Sequence, residues 1–129
     1  MSKELRKSKK LTLTQAKKKA WTQFSKFIRT RDKSCVTCGT TDNLQAGHWL
    51  PGRHPSVLFD RRNVHAQCYG CNVGKNGNPI KYYHYMERTY GLDIMKELEE
   101  LDTQIIKRTP QDYLDLEALY KEKLLNLSQ

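Results

Sequence analysis

Four cysteines carry the clearest chemistry in this sequence. They stand as two C-x2-C pairs, Cys35/Cys38 and Cys68/Cys71, and no cysteine is left over. Two such knuckles can close one tetrahedral thiolate site around Zn²⁺. Four thiolates leave no open coordination position, so this zinc is expected to be structural and to clamp the chain between the knuckles. A disulfide framework is the competing reading, and it calls for an export signal. The stretch Met1–Lys10 is polar and basic with no apolar run behind it. It does not read as a secretory signal, so the chain is expected in the cytosol with its thiols bound to metal.

The clamped segment contains His48 and Asn63, and Asn72 directly follows the last cysteine. Taken singly, His48 reads as a strand histidine, Asn63 as a turn residue and Asn72 as a helix cap. Held between two staples, the three form a candidate catalytic set, because chemistry needs its groups on rigid supports.

The elements that must position this set are legible as a small α+β domain. Thr12 and Gln15 have capping-box spacing, and Ala16, Ala20, Trp21, Phe24, Phe27 and Ile28 then recur at helical intervals, which predicts an N-terminal helix with one buried face. Leu44 to Trp49 reads as a short strand broken by Pro51-Gly52. Val57 to Phe59 is expected to begin a second strand and Val64 to Gln67 to return before the second knuckle. Asn78-Pro79 reads as an N-cap and first helical residue, with the helix running to about Tyr90 and stopping at Gly91. Beyond it, Met95, Leu98, Leu101 and Ile105, and then Tyr113, Leu116, Tyr120, Leu124 and Leu127 after Thr109-Pro110, predict a C-terminal helical hairpin. The expected organisation is a disordered basic arm over 1–11, a zinc-bound domain over 12–91, and the hairpin over 92–129 as a packing or dimerisation element.

Charge narrows the partner. The net charge is +9, and it is uneven: residues 1–95 carry +12 and residues 96–129 carry −3. A basic body suggests a polyanion, and an acidic tail suggests a protein contact. The chain is 37% hydrophobic, and no apolar run approaches the roughly 18 residues of a membrane span.

The order Cys35-x2-Cys38, Gly47-His48, Asn63, Cys68-x2-Cys71-Asn72 resembles a zinc-bound HNH (ββα-metal) nuclease. More narrowly, Ala46 to Asn78 resembles the NinG (Rap) recombination nucleases of lambdoid phages, through Ala46-Gly47-His48, His54-Pro55, Phe59, Asn63-Val64-His65, Gln67-Cys68, Cys71-Asn72 and Gly77-Asn78. The asparagine after the last cysteine also resembles phage junction resolvases of the endonuclease VII type, where the usual HNH pattern has histidine. The resemblance implies a zinc-stapled ββα-metal core in which His48 is the general base and Asn63 orients its ring. It also implies that Asn72 gives an oxygen ligand to one catalytic Mg²⁺ or Mn²⁺. These roles meet the needs of phosphodiester hydrolysis, which requires an activated water and charge neutralisation at the leaving oxygen. One departure stands out: most HNH enzymes place an acidic or histidine ligand immediately before the base, and here that residue is Gly47. Asp60, His54 and His65 are the candidate replacements, with Asp60 preferred because a carboxylate suits Mg²⁺.

The implied substrate is branched DNA such as Holliday junctions and D-loops, held by Arg53, Arg61, Arg62, Lys75, Lys81 and Arg88, with an exposed tyrosine among Tyr82, Tyr83, Tyr85 and Tyr90 free to stack on a base. A junction is nearly two-fold symmetric, so a homodimer would place two sites on it. The competing functions are a non-catalytic zinc module that binds nucleic acid, needing neither His48 nor Asn72, and a general HNH nuclease with added DNA-reading segments.

Overall fold

A computed structural model describes residues 11–51 and 55–127. The expected basic arm lies almost wholly outside the described residues, as do Arg53 and His54. The order of elements is α1 (Leu13–Asp32), β1 (Leu44–His48), a short α2 (Pro55–Leu58), β2 (Val64–Cys68), a π-turn (Gly70–Gly74), α3 (Pro79–Tyr90), α4 (Leu92–Asp102) and α5 (Pro110–Leu127). Among the described residues, no helix is long and apolar enough to cross a membrane.

Helix α1 starts as its residues dictate. The Gln15 N–H donates to the Thr12 hydroxyl, and the Thr12 N–H donates to the Gln15 side-chain oxygen, so two orphan donors are satisfied reciprocally. Its far end is tied to the sheet. Asp32 accepts the Ala66 N–H at 2.8 Å, Arg31 donates to the Val64 carbonyl at 2.9 Å, and Val36 N–H donates to the Ala66 carbonyl. These bonds occupy the outer edge of β2, which would otherwise present unpaired backbone groups.

Strands β1 and β2 are antiparallel, with Gln45 opposite Gln67, Gly47 opposite His65 and His48 opposite Val64. Side chains alternate across a strand, so the sheet has two unlike faces. Ala46 and Val64 join α1 in a core of Ala16, Ala20, Phe24, Phe27 and Ile28, closed by Phe59 and by Tyr113 and Tyr120 of α5. The other face meets the π-turn and α3. Behind α3, a second core of Tyr82, Met86, Met95 and Leu98 joins α3 to α4.

Two expectations change here. Val57 to Phe59 does not begin a strand; Pro55 opens the short helix α2, and proline favours a first helical position. The Val57 carbonyl then accepts the Asn63 side-chain amide instead of a neighbouring strand. The C-terminal helices also take different partners rather than pairing as a hairpin: α4 packs on α3 and α5 on α1. Ile105 falls outside α4 and is 87% exposed.

Candidate metal centre and surrounding site

The four sulfurs converge. All lie within 4.8 Å of one another, and Cys38 Sγ is 3.6 Å from Cys68 Sγ. That separation is close to the ~3.8 Å edge of a tetrahedron with Zn–S bonds of about 2.3 Å. None of the four is in a disulfide. The set can therefore hold a structural metal such as zinc.

Hydrogen bonds to sulfur complete the knuckles. The Cys71 N–H donates to Cys68 Sγ at 3.3 Å, and the Asn78 side-chain amide donates to Cys71 Sγ at 3.6 Å. Asn78 thus begins α3 in the left-handed region without capping it by its side chain; its amide is spent on the thiolate instead. Burial raises the Cys35 thiol, but the Thr37 hydroxyl and the Cys68, Thr37 and Cys38 backbone N–H groups outweigh it and bring it down to about 6. Cys38 is held down by the Thr40 N–H, yet residual desolvation and the three neighbouring sulfurs push it up to about 12. Four thiols this close resist ionising together, which is the condition a divalent cation relieves.

His48 is the last residue of β1 and faces α1, where its ring stacks on Trp21 at 5.2 Å between centroids. Its Nε2 lies 3.2 Å from the Leu58 carbonyl. A carbonyl only accepts, so Nε2 carries the proton and Nδ1 holds the basic lone pair. Burial lowers the His48 pKa, against the Leu58 hydrogen bond that raises it, so the ring is neutral at neutral pH.

Asn63 is fully buried and clamps the loop instead of the imidazole. Its side chain accepts the Leu50 N–H at 2.8 Å and donates to the Leu50 and Val57 carbonyls. Among the described residues, none of its side-chain hydrogen bonds reaches His48; they join the Leu50 segment to the one that presents the Leu58 carbonyl. Asp60 is engaged as well: its carboxylate pairs with Arg62, which also reaches Glu97 at 2.7 Å. Asn72 lies on the opposite side of the sheet from His48, and its amide nitrogen donates to Gln45 Oε1 at 2.8 Å. The structure thus brings the four cysteines together and sets His48 and Asn72 on the two faces of β1, with no hydrogen bond between them.

His65 is buried within a relay. Tyr82 donates to the Gly47 carbonyl at 2.8 Å, so it accepts from His65 Nδ1, and Tyr90 donates to His65 Nε2 at 2.7 Å. Burial and the Arg31 charge push its pKa down to about 4, against a smaller opposing effect of Asp32. It supports the sheet from inside, away from solvent. Of the four tyrosines considered as base-stacking groups, Tyr82 is buried and Tyr83 is exposed.

Sequence reasoning passed over Gln67 and Thr37. Gln67 is fully buried, and its amide nitrogen donates to the Gly77 carbonyl at 2.8 Å and the Thr37 hydroxyl at 3.2 Å. Strand alternation could have found it, since Gln45, Gly47 and Gln67 share one face of the paired strands.

The family described as Bacteriophage Lambda NinG protein matches residues 1–129. The chain is 34% identical over 115 residues to protein ninG of Salmonella phage P22, covering 85% of this chain and 56% of that protein. It is 32% identical over 115 residues to protein ninG of Escherichia phage lambda, covering the same 85% and 56%. The chain thus spans about half the length of the curated relatives it matches. No solved structure matches. The cysteine tetrad, His48, Asn63 and Asn72 all lie within a match that runs the length of the chain, and the chain belongs to the NinG family of lambdoid phages.

Proposed function

We propose that this chain is a metal-dependent endonuclease of the HNH type that hydrolyses phosphodiesters in branched DNA such as Holliday junctions and D-loops. The observation that carries the reading is the state of His48. Its Nε2 is committed to the Leu58 carbonyl, and burial keeps the ring neutral. Nδ1 is left as a base on the last residue of a strand anchored by the thiolate tetrad. A neutral imidazole with one nitrogen pinned is suited to take a proton from water. Asn63 is a positioning residue that closes the loop presenting the Leu58 carbonyl. Asn72 would hold a Mg²⁺ or Mn²⁺ ion through its side-chain oxygen, and such an ion supplies charge neutralisation at the scissile phosphate. A phosphodiester lying across the C-terminal end of β1 would reach both faces.

Binding would rest on phosphate contacts. Lys81, His84 and Arg88 share one side of α3 and line a shallow depression with Val36 and Thr37 of the first knuckle. Exposed cations in such a row hold a phosphate backbone and carry no sequence information, which suits recognition by shape. Exposed Leu119, Leu125 and Leu127 make α5 the candidate surface for a homodimer spanning a junction.

A second reading is a zinc-dependent module that binds nucleic acid without cutting it. It is favoured by the stacking of His48 on Trp21, away from Asn72, and by the absence of a side chain at Gly47. Cleavage of a synthetic four-way junction with Mg²⁺ or Mn²⁺ separates the two, with linear duplex as control. The wild type should cut the junction in preference to duplex, and His48→Ala should bind equally but cut about 10²–10⁴-fold more slowly. Tight binding with no cutting under either metal would establish the second reading.

A further inference from the structure

The residue missing a side chain before His48 is surrounded by oxygen. A Cβ on Gly47 would lie 2.0 Å from Gln67 Oε1 and 3.0 Å from Asn72 Oδ1. No other residue type fits at this position unless Gln67 withdraws. The orientation of both amides is determined by their nitrogens. Gln67 Nε2 donates to the Gly77 carbonyl, which can only accept, so Oε1 must point the other way, toward Gly47. Asn72 Nδ2 donates to Gln45 Oε1, which likewise turns Oδ1 toward Gly47. Gln67 Oε1 is buried and has no hydrogen-bond partner. A buried amide oxygen left unsatisfied carries a desolvation cost, and such an atom in a folded protein calls for an explanation.

The tetrad reinforces this orientation. The Thr37 hydroxyl is 3.3 Å from Cys35 Sγ. A thiolate only accepts, so Thr37 donates to it and accepts from Gln67 Nε2. One metal site therefore aims the amide that lines another place. Two acceptor oxygens converging on one glycine, one of them without a partner, suit a hard cation, and Mg²⁺ and Mn²⁺ take oxygen ligands while keeping several waters. Asp60, the carboxylate preferred on sequence grounds, is paired with Arg62.

We infer that Gln67 Oε1, together with Asn72 Oδ1, forms the divalent-cation site of this chain, the glutamine oxygen on β2 taking the place of the ligand that Gly47 lacks on β1. The inference rests on the nuclease reading for its purpose but not for its geometry.

The test uses Mn²⁺ alone on the full, zinc-loaded chain. In the wild type, Mn²⁺ should broaden the side-chain amide resonances of Gln67 and Asn72 ahead of those of Gln15 and Gln111. Loss of the free-Mn²⁺ electron paramagnetic resonance signal should report binding, weakened at least tenfold in Gln67→Met and in Gly47→Ala with zinc content unchanged. Gly47→Ala displaces the Gln67 oxygen without removing its hydrogen-bonding nitrogen, and the wild-type resonances need no variant to fold. Mn²⁺ binding that is unaltered in both variants, or that leaves the Gln67 resonance sharp, overturns the inference, as does a wild type that binds no Mn²⁺. Junction cleavage in the same samples keeps the two ideas apart. A wild type that cuts while Gln67→Met retains full Mn²⁺ affinity refutes this site alone, and a wild type that neither cuts nor binds Mn²⁺ refutes the nuclease as well.

Discussion

The two faces of one small sheet are held by different physics. Toward α1, Ala46 and Val64 meet Phe24, Phe27 and Ile28, and Phe24 packs edge-on against Tyr120 at 4.7 Å. That face is stabilised by apolar area removed from water and by ring geometry. Toward α3, Gln67 and His65 are buried polar residues: the Gln67 amide nitrogen is bonded to Thr37 and Gly77 and the His65 ring to Tyr82 and Tyr90, while Gln67 Oε1 has no partner. That face depends on hydrogen bonds whose directions are fixed, and it adjoins a cysteine tetrad that could hold a metal. The apolar face can tolerate adjustment, because hydrophobic burial has no direction. The polar face cannot, because each unpaired atom carries a full desolvation cost.

The comparison can be broken most severely at the tetrad. Cys71→Ala, or removal of metal by a chelator, should abolish cooperative folding, since closed zinc sites contribute folding free energy directly. Thermal unfolding followed by circular dichroism, with zinc quantified, checks this; a cooperative transition in a zinc-free variant would show that the polar face stands without its metal. Next in size is Phe24→Ala on the opposite face, expected to cost about 3–5 kcal/mol. Urea unfolding measures the loss, and zinc should stay bound at full stoichiometry. Zinc released by this substitution would mean that the two faces are one cooperative unit.

The smallest expected effect is a pH dependence confined to the polar face. The folded pKa of His65 is depressed to about 4 from an unfolded value near 6.5. The unfolded state therefore binds the proton first. The stabilisation is complete above about pH 6.5 and is lost progressively as pH falls toward 4, amounting to about 3 kcal/mol over that window. Following the His65 ring carbon resonance by NMR should give a midpoint near the lower value. A midpoint near 6.5 would mean that the ring is solvated and that the tyrosine relay does not form.

Much of the local structure was legible because it depends on neighbours in the chain. The Thr12–Gln15 box, the helical stripe from Ala16 to Ile28 and the paired knuckles all encode their outcome within a few residues. The strand expected over Val57 to Phe59 is not formed, because a short apolar run does not distinguish strand from helix by its period. At the site, Asn63 is expected to hydrogen-bond the His48 ring, whereas its side chain bonds Leu50 and Val57. Gln67 is signalled only by strand alternation, which puts it on the face of Gln45 and Gly47; its meaning comes from Gly47 across the ladder.

By itself, the sequence determined that four thiols would meet, that α1 would bury an aromatic face, and that His48 would lie in a strand beside a glycine. These follow from spacing, capping and periodicity, which act over short stretches of chain. Only the tertiary structure decided which face His48 and Asn72 would occupy, that α4 and α5 would separate onto different partners, and that a glutamine oxygen would fill the space Gly47 leaves. Those outcomes depend on strand register and on hydrogen-bond direction between distant residues, and neither is encoded in the order of amino acids near the site.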